Sequence, residues 1–98
     1  MATNWLVVTL KVKDGMQAEF ESIAGELIAQ VRANEPGVAT YTLTKTRTDP
    51  TEYIFIEHYL TPEARQEHAK TSYFRAIGAR LFSCLVSPPT LVELDTIK

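Results

Sequence analysis

The side chains in this sequence that could do chemistry gather between Glu57 and Phe74, in the run E-H-Y-L-T-P-E-A-R-Q-E-H-A-K-T-S-Y-F. His68 is the first candidate, because an imidazole ionises near pH ~6.5 and can take and return a proton close to neutrality. Its neighbours Glu67 and Lys70 are polar, and on those alone it reads as a solvated helix histidine. Glu57 stands among Tyr53, Phe55 and Tyr59 at alternating positions, which makes it a carboxylate on an otherwise aromatic strand face. Burial there would raise its pKa and let it orient a base or a substrate. An interface or edge salt bridge is the competing reading. His58 follows Glu57 directly, so strand alternation sends the two to opposite faces and keeps them out of one cavity.

The tyrosines Tyr41, Tyr53, Tyr59 and Tyr73 each join a flat apolar body to a hydroxyl, which suits them to hold a planar ring or to stabilise an oxyanion. Tyrosines more often pack cores and interfaces, so at most two are expected to line a pocket. Phe74 adds an aromatic wall beside Tyr73. Asn4 and Arg75 could bind a polar substituent, but each reads first as a surface residue. One cysteine, Cys84, excludes an internal disulfide and any cysteine-only metal site, and among apolar neighbours it reads as a small core residue. Two histidines on separate elements make no metal constellation. Phosphate-loop, dinucleotide and nucleophile-elbow motifs are all missing. No cofactor and no metal are expected.

These groups need a scaffold, and 98 residues supply a single domain spanning 1–98, small enough to gain from burying one face against a partner. Hydrophobic residues make up 45% and charged residues 22%, the proportions of an ordinary globular protein. Net charge is −2 and the ten Lys and Arg residues are scattered, so no basic stripe awaits nucleic acid. The first residues have no basic region ahead of their apolar run and turn charged at Lys11. Neither a signal peptide nor a membrane span is expected, and the cytoplasm is the expected compartment.

Leu6, Val8, Leu10 and Val12 alternate with Trp5, Val7, Thr9 and Lys11, which predicts a strand over 5–12. Asp14 is placed to cap a helix over 16–33, whose apolar stripe is Met16, Phe20, Ile23, Leu27 and Val31. Glu35-Pro36-Gly37 stops it. Val38–Arg47 and Glu52–Leu60 read as strands joined by a turn at Asp49-Pro50, a hairpin. Thr61 suits an N-cap and Pro62 the first helical position, opening a short polar helix. A second helical run spans 72–86, Ser87-Pro88-Pro89 ends it, and Thr90–Thr96 has strand character.

The order is therefore β-α-β-β-α-β, a ferredoxin-like α+β fold with an antiparallel sheet and both helical segments on one face. The opposite sheet face carries Trp5 and Val7, and a second copy is expected to cover it, giving a homodimer through the open sheet face.

Taken in order, several of these segments resemble the antibiotic biosynthesis monooxygenase superfamily of dimeric α+β barrels, which includes quinol monooxygenases and enzymes that process the phosphorylated autoinducer signal. The residues that carry the likeness are Glu35-Pro36-Gly37 with Tyr41, Asp49-Pro50, and Phe55-Ile56-Glu57-His58-Tyr59. Ala64, His68, Thr71, Ser72 and Phe74 then follow A-x3-H-x2-[ST]-x-[FHY]-[FY]. The likeness spans nearly the whole chain. It implies cofactor-independent oxygenation of a small phenolic or quinol substrate, with His68 as base, Glu57 as a second polar group, and Tyr41, Tyr59, Tyr73 and Phe74 around the substrate. An isomerase or other modifier of a small oxygenated metabolite, and a non-catalytic ligand-binding stress protein, are the alternatives this scaffold leaves open. Haem-degrading members use an Asn, a Trp and a ligating His where this chain has Val8, His68 and Gly78, which argues against haem chemistry. Tyr73 stands where some relatives have a second histidine, which argues against a two-histidine mechanism.

Overall fold

The structure, a computed structural model, describes residues 4–98. Four strands, β1 (Asn4–Lys11), β2 (Val38–Lys45), β3 (Glu52–Tyr59) and β4 (Thr90–Asp95), form one sheet in the order β2-β3-β1-β4. Every neighbouring pair is antiparallel. Helices α1 (Gln17–Asn34), α2 (Pro62–Lys70) and α3 (Ser72–Phe82) complete the chain. The α+β, ferredoxin-like architecture expected from the sequence is present, with the second helical segment divided in two.

Alternation in β1 and β3 sends Leu6, Val8 and Leu10, and Tyr53, Phe55, Glu57 and Tyr59, to the helix side of the sheet. The stripe of α1, Phe20, Ile23, Ala24, Leu27 and Val31, is buried in the same core. Leu81 and the fully buried Cys84 close it from the α3 side. These apolar faces are the main favourable term that holds the fold together, at roughly 25 cal/mol per Å² of apolar surface removed from water.

A helix cap and a helix end differ from expectation. Asp14 does not cap α1: Gly15 takes φ of 87°, a conformation glycine adopts without a Cβ clash, and this turn leaves Asp14 two residues ahead of the true N-cap, Met16. The Met16 amide instead donates to the Lys13 carbonyl. α3 ends at Phe82 rather than near Val86, because Cys84 and Leu85 turn back on Leu81 and Phe82 and Leu85 bridges to Val12.

The break between α2 and α3 is made by Thr71, whose extended backbone (ψ 145°) ends one helix and starts the next. Its hydroxyl donates to the His68 carbonyl and accepts from the Phe74 amide. One threonine thus fixes the spacing between His68 and Phe74. At the other end of α2, Thr61 accepts from the Ala64 amide as the N-cap, with Pro62 after it.

Candidate active site

A cavity of about 510 Å³ lies between the inner face of the sheet and helices α2 and α3. Its floor is apolar, with Leu6, Val8, Leu10 and Phe55 from the sheet, and Phe74 and Leu81 stand on the helix side. Tyr41, Glu57, Tyr59 and His68 bring polar atoms to it. Size and composition match a site for a small, largely apolar molecule with a few fixed polar contacts.

His68 is buried, 5% exposed, although its helix is polar. Its ring meets Phe74, Tyr41 and Tyr59, with centroids 4.7, 5.1 and 5.7 Å away. Nδ1 lies 3.0 and 3.1 Å from the two carboxylate oxygens of Glu35. An anion can only accept there, so Nδ1 carries a proton and Nε2 is left as the acceptor in the neutral ring. The Tyr41 hydroxyl stands 3.3 Å from Nε2 and donates to it. The solvated-helix reading of His68 fails because α2 buries this side chain against the aromatic wall of Tyr41, Tyr59 and Phe74.

Glu35 is the residue that sequence reasoning passed over. Glu-Pro-Gly reads as a helix stop, yet Glu35 forms the C-cap of α1, and its carboxylate, 10% exposed, receives hydrogen bonds from both His68 and Tyr73. A signal was present. A helix C-terminus carries partial negative charge and disfavours an acidic side chain, so a glutamate there asks for a compensating donor or cation.

Tyr73 does not line the cavity as expected; its hydroxyl donates to Glu35 from behind His68. Burial and that carboxylate push its ionisation up to about 12, so it stays a donor. Tyr41, Tyr59 and Phe74 do line the cavity, and Tyr53 points elsewhere, to Glu21.

Glu57 is 5% exposed and faces the cavity, not an interface. Burial raises its pKa, opposed by the hydrogen bond it accepts from Tyr59 and by the positive potential of His68 and Arg65. Burial, then the Glu57 carboxylate, pushes Tyr59 ionisation well up, so the phenol remains protonated. Arg65, also missed, lines the cavity and pairs with Glu93 of β4 at 3.1 Å. Asn4 lines it too. His58 is on the far face, stacked on Trp5 with centroids 4.0 Å apart. Among the described residues no group of three or more His, Cys, Asp or Glu side chains is arranged to hold a metal ion.

The sequence model of the family described as antibiotic biosynthesis monooxygenase matches residues 5–80. The chain belongs to that family. A solved structure from Caulobacter crescentus, described as a candidate antibiotic biosynthesis monooxygenase, is 36% identical over 99% of this chain and 92% of its own, with a TM-score of 0.95. One from Nitrosomonas europaea with the same description is 19% identical, covers 97% of this chain and 90% of its own, and has a TM-score of 0.91. A Mycobacterium tuberculosis protein is 17% identical, covers 98% and 96%, and has a TM-score of 0.88. The last two bear on the fold alone. No curated protein matches the chain. Within the family fold, His68 with Glu35 on its outer nitrogen, the Tyr41 hydroxyl and the carboxyl of Glu57 are groups of this chain that could act on a proton.

Proposed function

We propose that the protein is a monooxygenase that oxidises a small phenolic or quinol substrate with O2, without a metal or flavin. The coarser part of this reading, a monooxygenase, is supported by family membership and by the description of the Caulobacter protein. The observation that carries the finer part is His68, buried at an apolar cavity with a carboxylate on its outer nitrogen. Cofactor-free oxygenation asks three things of a protein: a base that turns a phenol into an electron-rich anion, fixed donors for that anion, and a dry cavity that admits O2. Glu35 and His68 supply the base, since the carboxylate stabilises the imidazolium that forms. The apolar floor of Leu6, Val8, Leu10 and Phe55 supplies the low-polarity surroundings. For a hydroquinone the balance closes without another reductant: one oxygen atom enters the ring, the other leaves as water, and the product is a hydroxyquinone.

Oxygen uptake with a panel of hydroquinones, on protein stripped of metal and flavin, tests this reading. Turnover is expected with at least one, falling about 100-fold or more in His68→Ala. No uptake with any member, or an unchanged rate in the variant, refutes it. Glu57 supports a second reading. A carboxyl biased toward its protonated form across a cavity from a base could shuttle a proton between two carbons of an oxygenated metabolite, an isomerisation that would consume no oxygen.

The assembly we propose is a homodimer. The open sheet face carries Trp5, Val7, Ile54 and Ile56, with Val92 and Leu94 half exposed on the edge strand. A second copy of the same face is the self-complementary occupant.

A further inference from the structure

Both ring nitrogens of His68, which lines the cavity, already have partners within the protein. Nδ1 is turned onto Glu35, which does not line the cavity, and Nε2 is covered by the Tyr41 hydroxyl at 3.3 Å. Phe74 and Tyr59 pack against the ring itself. Tyr41 has the opposite character. It lines the cavity, its ring is held against Phe55 at 5.1 Å, and its oxygen, which gives its one hydrogen to His68, keeps lone pairs that no described residue occupies.

We propose that Tyr41 is the catalytic residue that meets the substrate hydroxyl, and that His68 takes the proton only through it. In the step, the substrate O–H bond breaks as a new O–H bond forms on Tyr41 Oη. The original Oη–H bond breaks as its proton binds His68 Nε2. The products are a substrate oxyanion, a neutral Tyr41, and a His68 imidazolium whose Nδ1–H stays on the Glu35 carboxylate. The two transfers are concerted, since burial together with the charges of Glu57 and Glu35 raises the cost of a free tyrosinate at this position. The inference rests on the cavity holding a hydroxyl-bearing substrate, as proposed above.

The test needs no oxygen. 4-Nitrophenol, whose anion is coloured, is titrated with pH in the presence of wild-type protein, Tyr41→Phe and His68→Gln, and its affinity is measured by calorimetry. Wild-type protein is expected to ionise the bound probe at a lower pH than water does. Tyr41→Phe keeps the ring on Phe55 and is expected to bind within about threefold of wild type, yet to ionise the probe at least about one pH unit higher. His68→Gln should do the same. Ionisation by Tyr41→Phe at the wild-type pH overturns the relay, because His68 would then be acting directly. Wild-type protein that neither binds nor ionises the probe overturns it as well. Should Tyr41→Phe fail to fold, temperature-jump ionisation by wild-type protein in H2O–D2O mixtures decides. A bowed dependence of rate on deuterium fraction counts two protons and supports the relay; a straight line counts one and refutes it. Because oxygen is absent throughout, a failed oxygen-uptake assay and a failed relay are separate results.

Discussion

Glu35 carries a charge where the end of α1 least favours one, and the two donors that meet it, His68 and Tyr73, are what make the position tolerable. Its work is on His68: it sets the tautomer and stabilises the imidazolium. Glu35→Gln keeps an acceptor for Nδ1–H but removes the charge, so kcat should fall about tenfold to a hundredfold with KM little changed, less than the loss from removing the base. A fall in KM alone would refute that role. Glu57 titrates against stability instead. Burial lifts its carboxyl above the ordinary 4.5, so the folded protein holds this proton more tightly than the unfolded chain does. The stability this group contributes is complete below 4.5 and is lost as pH rises through the folded value. Glu57→Gln escapes that loss while still accepting from Tyr59. Its melting temperature should gain on wild type as pH rises above the ordinary carboxyl value of 4.5, and a difference that stays constant with pH would contradict the assignment. His68, Glu57, Tyr41, Tyr59 and Phe74 were legible as cavity residues from residue type, alternation and family likeness. Glu35 was not, because Glu-Pro-Gly reads first as backbone punctuation, and Tyr73 was misdirected because adjacent helix positions diverge by about 100° and spacing alone does not say which of the pair turns inward.

α2 positions His68, and its seat on the sheet is tight at one point. A Cβ on Gly37 would lie 2.8 Å from the Cβ of Ala64, closer than carbon atoms approach, while the Gly37 carbonyl accepts from the Leu60 amide just ahead of the helix. Gly37→Ala should therefore push α2 outward, destabilising the fold by about 1–3 kcal/mol and carrying His68 away from Glu35. Adding Ala64→Gly should restore activity more fully than stability, since glycine inside a helix costs about 1 kcal/mol by itself. Activity unmoved by Gly37→Ala would mean that α2 seats loosely. At this scale the sequence was readable wherever a period repeats: period two in β1 and β3, helical spacing in α1, and a cap followed by proline at α2. It misled where one backbone angle decides, as at Gly15, whose positive φ stranded the expected Asp14 cap. The C-terminal end of α3 is set by contacts of the following residues with Val12 and Lys11, far away in the chain, and local residues do not announce it.

For the whole molecule, the decisive feature is that only one side of the sheet is covered. On the far side Trp5 pairs with His58, Val7 with Ile56 and Thr9 with Ile54 across β1 and β3, and Val92 and Leu94 extend the surface onto β4. The Trp5 ring lies flat on His58, and the buried Nε2 of His58 has no partner among the described residues. β4 is exposed along its length, with Leu91, Val92 and Leu94 each about half exposed. A sheet face this apolar, with an orphaned polar atom inside it, is incomplete as a solvent surface. Ile56 sits near its middle, on an interior strand, with its side chain directed away from the core. Ile56→Lys should leave the fold and its circular dichroism intact, while a two-fold related pair of copies would bring two buried ammonium groups toward each other. Sedimentation should find wild-type dimer and variant monomer at micromolar protein, with dimer association weakened at least about a hundredfold, close to 3 kcal/mol. The wild-type melting temperature should also climb with protein concentration and the variant's should not. A wild-type protein that sediments as a monomer, or a variant that dimerises equally well, would send the apolar face to some other occupant. The cavity lies on the opposite side of the sheet, so the variant's oxygen uptake separates the two functions of one sheet: turnover retained in the monomer would place the whole site within a single chain.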